Sequence, residues 1–217
     1  MVKKFILIFC ALSVLLLSVC GCSETVQENS LTALTLTDTE GNTYTALVDS
    51  DGFLVTGDKD RLAVCVADEE GNPGKNSKGE FVTKAVSFPR VLTAENEIYT
   101  KHFRMPLPDG WTNKSDELVK LVKGKATLTV NSKDSGTVRD YTNEIKNIMW
   151  SIGKADEETV QLSAGEAIKL SYENRVVIYI FKAEKRVYSV KITADEKTFE
   201  EENLEEIINT MKFRKGE

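Results

Sequence analysis

The sequence predicts an α+β protein: a small all-β N-terminal module followed by an α/β/α sandwich with a mainly antiparallel sheet. Three observations predict it. From Leu31 to Leu92, short alternating apolar runs are separated by Asp/Asn/Gly clusters, with no helical period. After Ile98, similar runs are joined by two stretches whose apolar residues recur at three- and four-residue steps. The composition, 41% hydrophobic and 29% charged over 217 residues, is that of a chain that buries a core.

The first residues read as an address. Lys3 and Lys4 precede an uncharged stretch, Phe5 to Ser23, that is almost wholly apolar as far as Leu17. That is the layout of a signal peptide. Its end, Leu17-Ser18-Val19-Cys20-Gly21-Cys22-Ser23, resembles the lipobox of bacterial lipoproteins, in which a small residue precedes the cysteine that is lipidated. Cys22 follows Gly21, whereas Cys20 follows the branched Val19, so Cys22 is the expected lipidation site. The apolar run is short for a helix that must cross ~30 Å of hydrocarbon. The expected organisation is therefore a signal peptide over 1–21, a polar tether over 22–30, a β module over 31–92 and a second domain over 98–214.

This reading places the mature protein on the extracytoplasmic side of a cell membrane, held by acyl chains, each contributing about 0.8 kcal/mol per buried methylene. Loss of Lys3 and Lys4 would take the net charge from −6 to −8. Such a chain has no overall positive field to attract nucleic acid, and none is expected as a partner. Cys65 would be the one thiol besides the modified Cys22, so a disulfide framework is excluded.

In the β module the expected strands are Thr32–Thr37, Thr43–Val48, Arg61–Ala67 and Glu80–Phe88. Four turns share one chemistry: 38–42, 49–52, 68–72 and 76–80 each open on Asp or Asn and carry a Gly, at 41, 52, 71 and 79. Carboxylates on loops can hold calcium, but none of the four matches the EF-hand spacing and the glycine intervals are unequal. They read as hairpin turns. Alternation puts Cys65 on the face of Ala63 and Ala67, as a buried, inert thiol.

A boundary is expected near Pro89 to Glu97. Beyond it, Ile98–Met105 reads as a strand containing His102, and Pro106 to Trp111 as a rigid turn. Leu118–Val122 and Ala126–Val130 read as a hairpin. Val138, Tyr141, Ile145, Ile148, Met149 and Ile152 define one face of a helix over Thr137–Ile152. Strands are expected at Ala167–Tyr172, Arg175–Phe181 and Arg186–Thr193. A last helix, Glu196–Met211, has Phe199, Leu204, Ile207, Ile208 and Met211 on its apolar stripe and Glu200, Glu201, Glu202, Glu205 and Glu206 as a solvated face. Trp111 and Trp150 are both expected in the core.

The run Tyr99-x3-Phe103-x4-Pro108-Asp109-Gly110-Trp111, the Leu128-Thr129-Val130 strand, a helix, three strands ending in Val187-Tyr188-Ser189-Val190, and a last helix closing on Ile208-Asn209-Thr210-Met211-Lys212-Phe213 together resemble the PsbP-like family. The resemblance covers about Tyr99 to Phe213. It implies a non-catalytic domain of the envelope that docks to something else. No binding residue carries over, because the matched positions are core and turn positions.

Catalytic motifs are weak. Ser151-Ile152-Gly153-Lys154 matches S-x-x-K, but its companion motifs are missing and Gly153 reads as a helix cap. His102 is the single histidine, which leaves one candidate for any His-based triad or metal site. No metal, cofactor or catalytic residue is expected. The expected function is a membrane-anchored accessory or binding module for an envelope protein or a small ligand. The alternatives are an envelope hydrolase using an acidic pair, or a structural spacer.

Overall fold

A computed structural model describes residues 31–57, 61–115, 117–173 and 175–215. The expected signal peptide, Cys22 and the tether lie outside these residues. Leu31–Glu217 forms one compact unit, and every strand pairing among its described residues is antiparallel.

The first sheet has nine strands. Its early members are β1 (Thr32–Thr37), β2 (Thr43–Val48), β3 (Thr56–Gly57), β4 (Arg61–Cys65) and β5 (Thr83–Val86). Then come β6 (Leu92–Ala94), β7 (Glu97–Tyr99) and β8 (Phe103–Pro106), and the last strand of the chain, β16 (Lys212–Phe213). The order is β16-β8-β7-β6-β1-β2-β4-β3, with β5 on β4. Thus β6, inside the expected boundary, pairs with β1, and the sheet continues from the β module into the second region. The expected strand Ile98–Met105 is a hairpin: the Thr100 hydroxyl donates to the Phe103 carbonyl and accepts from the His102 and Phe103 amides, closing a turn between β7 and β8. His102 is accordingly a turn residue.

The four turns have one geometry. Asp38, Asp49, Asp68 and Asn76 each accept, through one side-chain oxygen, the amides two and four residues on. The Gly at the fourth position sits at φ +78 to +88°, where a Cβ is disfavoured. The Asp38 carboxyl feels burial, which raises its pKa, but bonds from Asn42, Tyr44 and Glu40 outweigh it and hold it below the ordinary value. The turn at Gly52 packs against the Arg104 guanidinium, 3.1 Å from where a Cβ would stand. Arg104 and Arg214 both lie over the Phe53 ring, at 5.9 and 5.5 Å.

The second sheet runs β12-β13-β14-β15-β11-β10-β9. Its strands are β9 (Thr112–Asn113), β10 (Val119–Lys123), β11 (Ala126–Lys133), β12 (Asp156–Leu162), β13 (Gly165–Tyr172), β14 (Val176–Ala183) and β15 (Arg186–Thr193). The edge strand β12, with the acidic start Asp156-Glu157-Glu158, has little apolar alternation and was not expected as a strand. Edge strands of this kind resist further pairing through their charge.

Helices are few. α1 (Val138–Ile148) starts at Thr137, whose hydroxyl accepts the Asp140 amide, and is followed by a 3-10 turn at Trp150–Ile152. Tyr141, Ile145 and Met149 pack on Leu170, Ile178, Ile180 and Val187 of the second sheet. The helix is shorter than expected. Ile148 and Trp150 fall on its outer side, 66% and 78% exposed and not in the core, while Met149 is buried and Ile152 packs against the same cluster.

The expected last helix is two: α2 (Glu196–Glu201) and α3 (Leu204–Asn209), separated by Asn203 in the left-handed region at φ 45°. Asn tolerates that conformation better than most residues. The break aims two carboxylates inward that the helical pattern assigns to solvent. Glu202 accepts from the Trp111 indole at 3.0 Å and from Lys123 at 2.6 Å, and Glu205 accepts from the Tyr179 hydroxyl at 2.6 Å. Trp111 is buried, as expected. Leu204, Ile207, Ile208 and Met211 then cover the face of the second sheet opposite α1, together with Ile98, Phe103 and Met105 of the first sheet. Four rings join the sheets at that contact. Phe181 stacks on Tyr188 at 5.8 Å, Phe103 meets Tyr188 edge-on at 5.8 Å, and Phe213 lies 4.9 Å from Tyr188.

Two predictions follow from this packing. Phe181 is fully buried, so Phe181→Ala lowers the unfolding free energy by ~3–5 kcal/mol, whereas Trp150→Ala changes it by less than ~0.5 kcal/mol. Urea unfolding distinguishes them, and equal effects contradict the assignment of core and surface. The Lys123 and Trp111 bonds also hold the Glu202 carboxyl below its ordinary value of 4.5. Their contribution to stability is present above that pH and is lost as pH falls through the lower folded value. Urea midpoints of Glu202→Gln should lie below wild type near neutrality and converge with it in acid; a gap that stays constant with pH refutes this linkage.

Candidate functional site

The chain passes from the first sheet to the second at Pro106–Trp111 and returns at β16. Residues of both sheets line a cleft of about 510 Å³. That volume suits a small ligand. A smaller hollow of about 310 Å³ is lined by Thr37, Asp38, Thr93, Leu107 and Trp111 among others. Val91 borders both.

Five chain segments build the larger cleft. From the first sheet come Phe88, Arg90 and Val91, on the approach to β6, and the β7–β8 turn with Lys101 and His102. From the second come Glu117 to Val119 leading into β10, and Val130, Asn131 and Ser132 of β11 beside Arg186 at the start of β15. The period of two explains the last group. Val130 and Ser132 share a face of β11, and Arg186, Tyr188 and Val190 share a face of β15. Val130, Tyr188 and Val190 belong to the core between the sheets, so Ser132 and Arg186 extend the same face into the mouth.

The Arg186 guanidinium bonds the Ser132 hydroxyl at 3.1 Å and pairs with Asp134, while its Nε is buried without a partner. A buried donor left unbonded costs about 1–3 kcal/mol. The Asp134 side chain is 80% exposed, and ion pairs open to solvent are weak. Arg90 is exposed and forms no ion pair among the described residues.

The residues singled out in the sequence are dispersed. His102 reaches the cleft, and its carbonyl accepts the Arg214 amide. Cys65 is buried in the β module, and burial pushes its thiol pKa up, away from reactivity. Ser151 and Lys154 lie at the exposed end of the 3-10 turn. The turn carboxylates bond their own loops, and no cluster suited to a metal ion occurs among the described residues. The strongly shifted tyrosines are structural. Burial, then the bonds to Glu97 and Glu205, drives the Tyr99 and Tyr179 hydroxyls far above their ordinary range. Sequence reading passed over Arg90, Lys101 and Arg186, because no motif or spacing relates them; the one local sign was a charged residue at the end of an apolar run.

The chain matches no protein-family model and no curated protein. Among solved structures it is similar to the solution structure of cyanobacterial PsbP (CyanoP) from Synechocystis sp. PCC 6803. The TM-score is 0.38 and the identity 11%, with 52% of this chain and 86% of that chain covered.

Proposed function

We propose that this chain is a lipid-anchored envelope protein, fastened through Cys22 on the extracytoplasmic side of the membrane, whose folded part works by binding and not by catalysis. The finer architecture belongs to the same proposal: a PsbP-like α/β/α sandwich, with α1 on one face of the second sheet and α3 on the other, carrying a β module that continues into it. The lipobox-like Cys22 supports the anchor.

The observation that carries the binding reading is the lining of the larger cleft. Among the described residues of the lining the carboxylate is Glu117, against Arg90, Lys101, Arg186 and the imidazole of His102. Acid–base catalysis by a carboxylate pair needs two carboxyl groups facing each other across several ångströms. The lining instead offers donors beside apolar walls, the make-up of a recognition site.

Mass spectrometry of the full chain from a bacterial host tests the anchor. The wild type should yield an N-terminal residue Cys22 carrying acyl groups, and Cys22→Ala should lack them and leave the membrane fraction. An unmodified Cys22 thiol in membrane-bound protein would sink this part. Substrate turnover abolished by Glu117→Gln would sink the binding part.

A further inference from the structure

We infer that the cleft binds a small amphipathic anion, with carboxylate or phosphate oxygens held at Arg186 and Arg90 and an apolar body laid along the exposed end of the intersheet core. This rests on the binding reading above and names the ligand class of that site.

Charge placement is the first argument. In a chain of net charge −6, three separated segments bring the cations Arg90, Lys101 and Arg186 to one cleft whose described lining holds one carboxylate, Glu117. Cations gathered against low-dielectric walls concentrate anions there, whatever the sign of the whole molecule. The second argument is Arg186 itself. Its planar fork suits a carboxylate or phosphate, and its partner Asp134 is mostly in solvent and can be displaced. Asn131 and Ser132 add neutral donors beside it. Third, the half-buried Phe88 and Leu118 line the same space, with the edges of the buried Val91, Phe103, Val119 and Val130. A bare inorganic anion would leave that apolar surface wet, and a neutral hydrocarbon would make no use of the exposed Arg90 or the buried Arg186 Nε. A ligand with both parts satisfies both. The volume of about 510 Å³ limits it to a small molecule, and the net charge of the chain disfavours a nucleic-acid backbone.

The test is isothermal titration calorimetry on the full chain in nanodiscs of zwitterionic lipid, with four probes: hexyl phosphate, hexanoate, hexanol and inorganic phosphate. Hexyl phosphate or hexanoate should bind at least about tenfold more tightly than hexanol or inorganic phosphate; which of the two binds better separates a phosphate from a carboxylate ligand. Arg186→Gln and Arg90→Gln should each weaken binding about tenfold, and Asp134→Asn should tighten it about threefold by freeing the guanidinium. Arg90 is exposed, so its variant remains informative if Arg186→Gln fails to fold. Equal binding of hexanol and hexyl phosphate would overturn the anion assignment and leave a binding module standing. Wild-type affinity in folded Arg186→Gln and Arg90→Gln, or no binding of any probe, would overturn the site. The acyl mass on Cys22 is read independently, so failure of the anchor and failure of the ligand are distinguishable.

Discussion

The contact among Phe103, Phe181, Tyr188 and Phe213 is the constraint on which the other features depend. Two of these rings come from the first sheet and two from the second, and their centroids lie 4.9–6.4 Å apart. Offset and edge-on aromatic pairs favour such separations, and each buries a large apolar area. The cluster needs the chain to leave the first sheet after β8 and return at β16, because Phe213 must pair beside Phe103. The interval between those strands contains the whole second sheet and the three α-helices found among the described residues. The return strand is only two residues long, so its place is held by rings and by Arg214 over Phe53 more than by its ladder.

The cleft is lined from both sheets, and the polar residues that extend the inward faces of β11 and β15 stand at its mouth. The break at Asn203 lets α2 and α3 bend over the core and brings Glu202 to Trp111 and Lys123, 91 and 79 residues away in the chain. The first pins the last helices to the Pro106–Trp111 crossover and the second to the end of β10, whose Lys123 also donates to the Asp109 carbonyl.

Legibility in the sequence followed the range of the interactions. The strands Thr32–Thr37, Thr43–Val48 and Arg186–Thr193 appear at their expected bounds, and the four Asx–Gly turns form because each is closed by its own five residues. Errors arose where a single side chain or a distant partner decided. Ile98–Met105 has a strand composition, but the Thr100 hydroxyl turns it into a hairpin. Ile148 and Trp150 are apolar and close to the stripe, but Met149 and Ile152 take the places against the second sheet and leave them exposed. The edge strand β12 lacks alternation because its residues from Asp156 to Thr159 are exposed on both faces. Of the cleft, His102 was noticed for its rarity, and the arginines were not.

By itself the sequence determined the mainly antiparallel character, the turn chemistry, and the burial of Cys65 and Trp111. These depend on residue type and on neighbours within a few positions. Tertiary structure alone decided that β6 joins the early strands to the later ones, that Glu202 and Glu205 turn inward, and that Arg90, Lys101, His102 and Arg186 share one cleft. The physical reason is that register between distant strands is selected by burial of whole faces at once. No single segment carries that sum in its own residues.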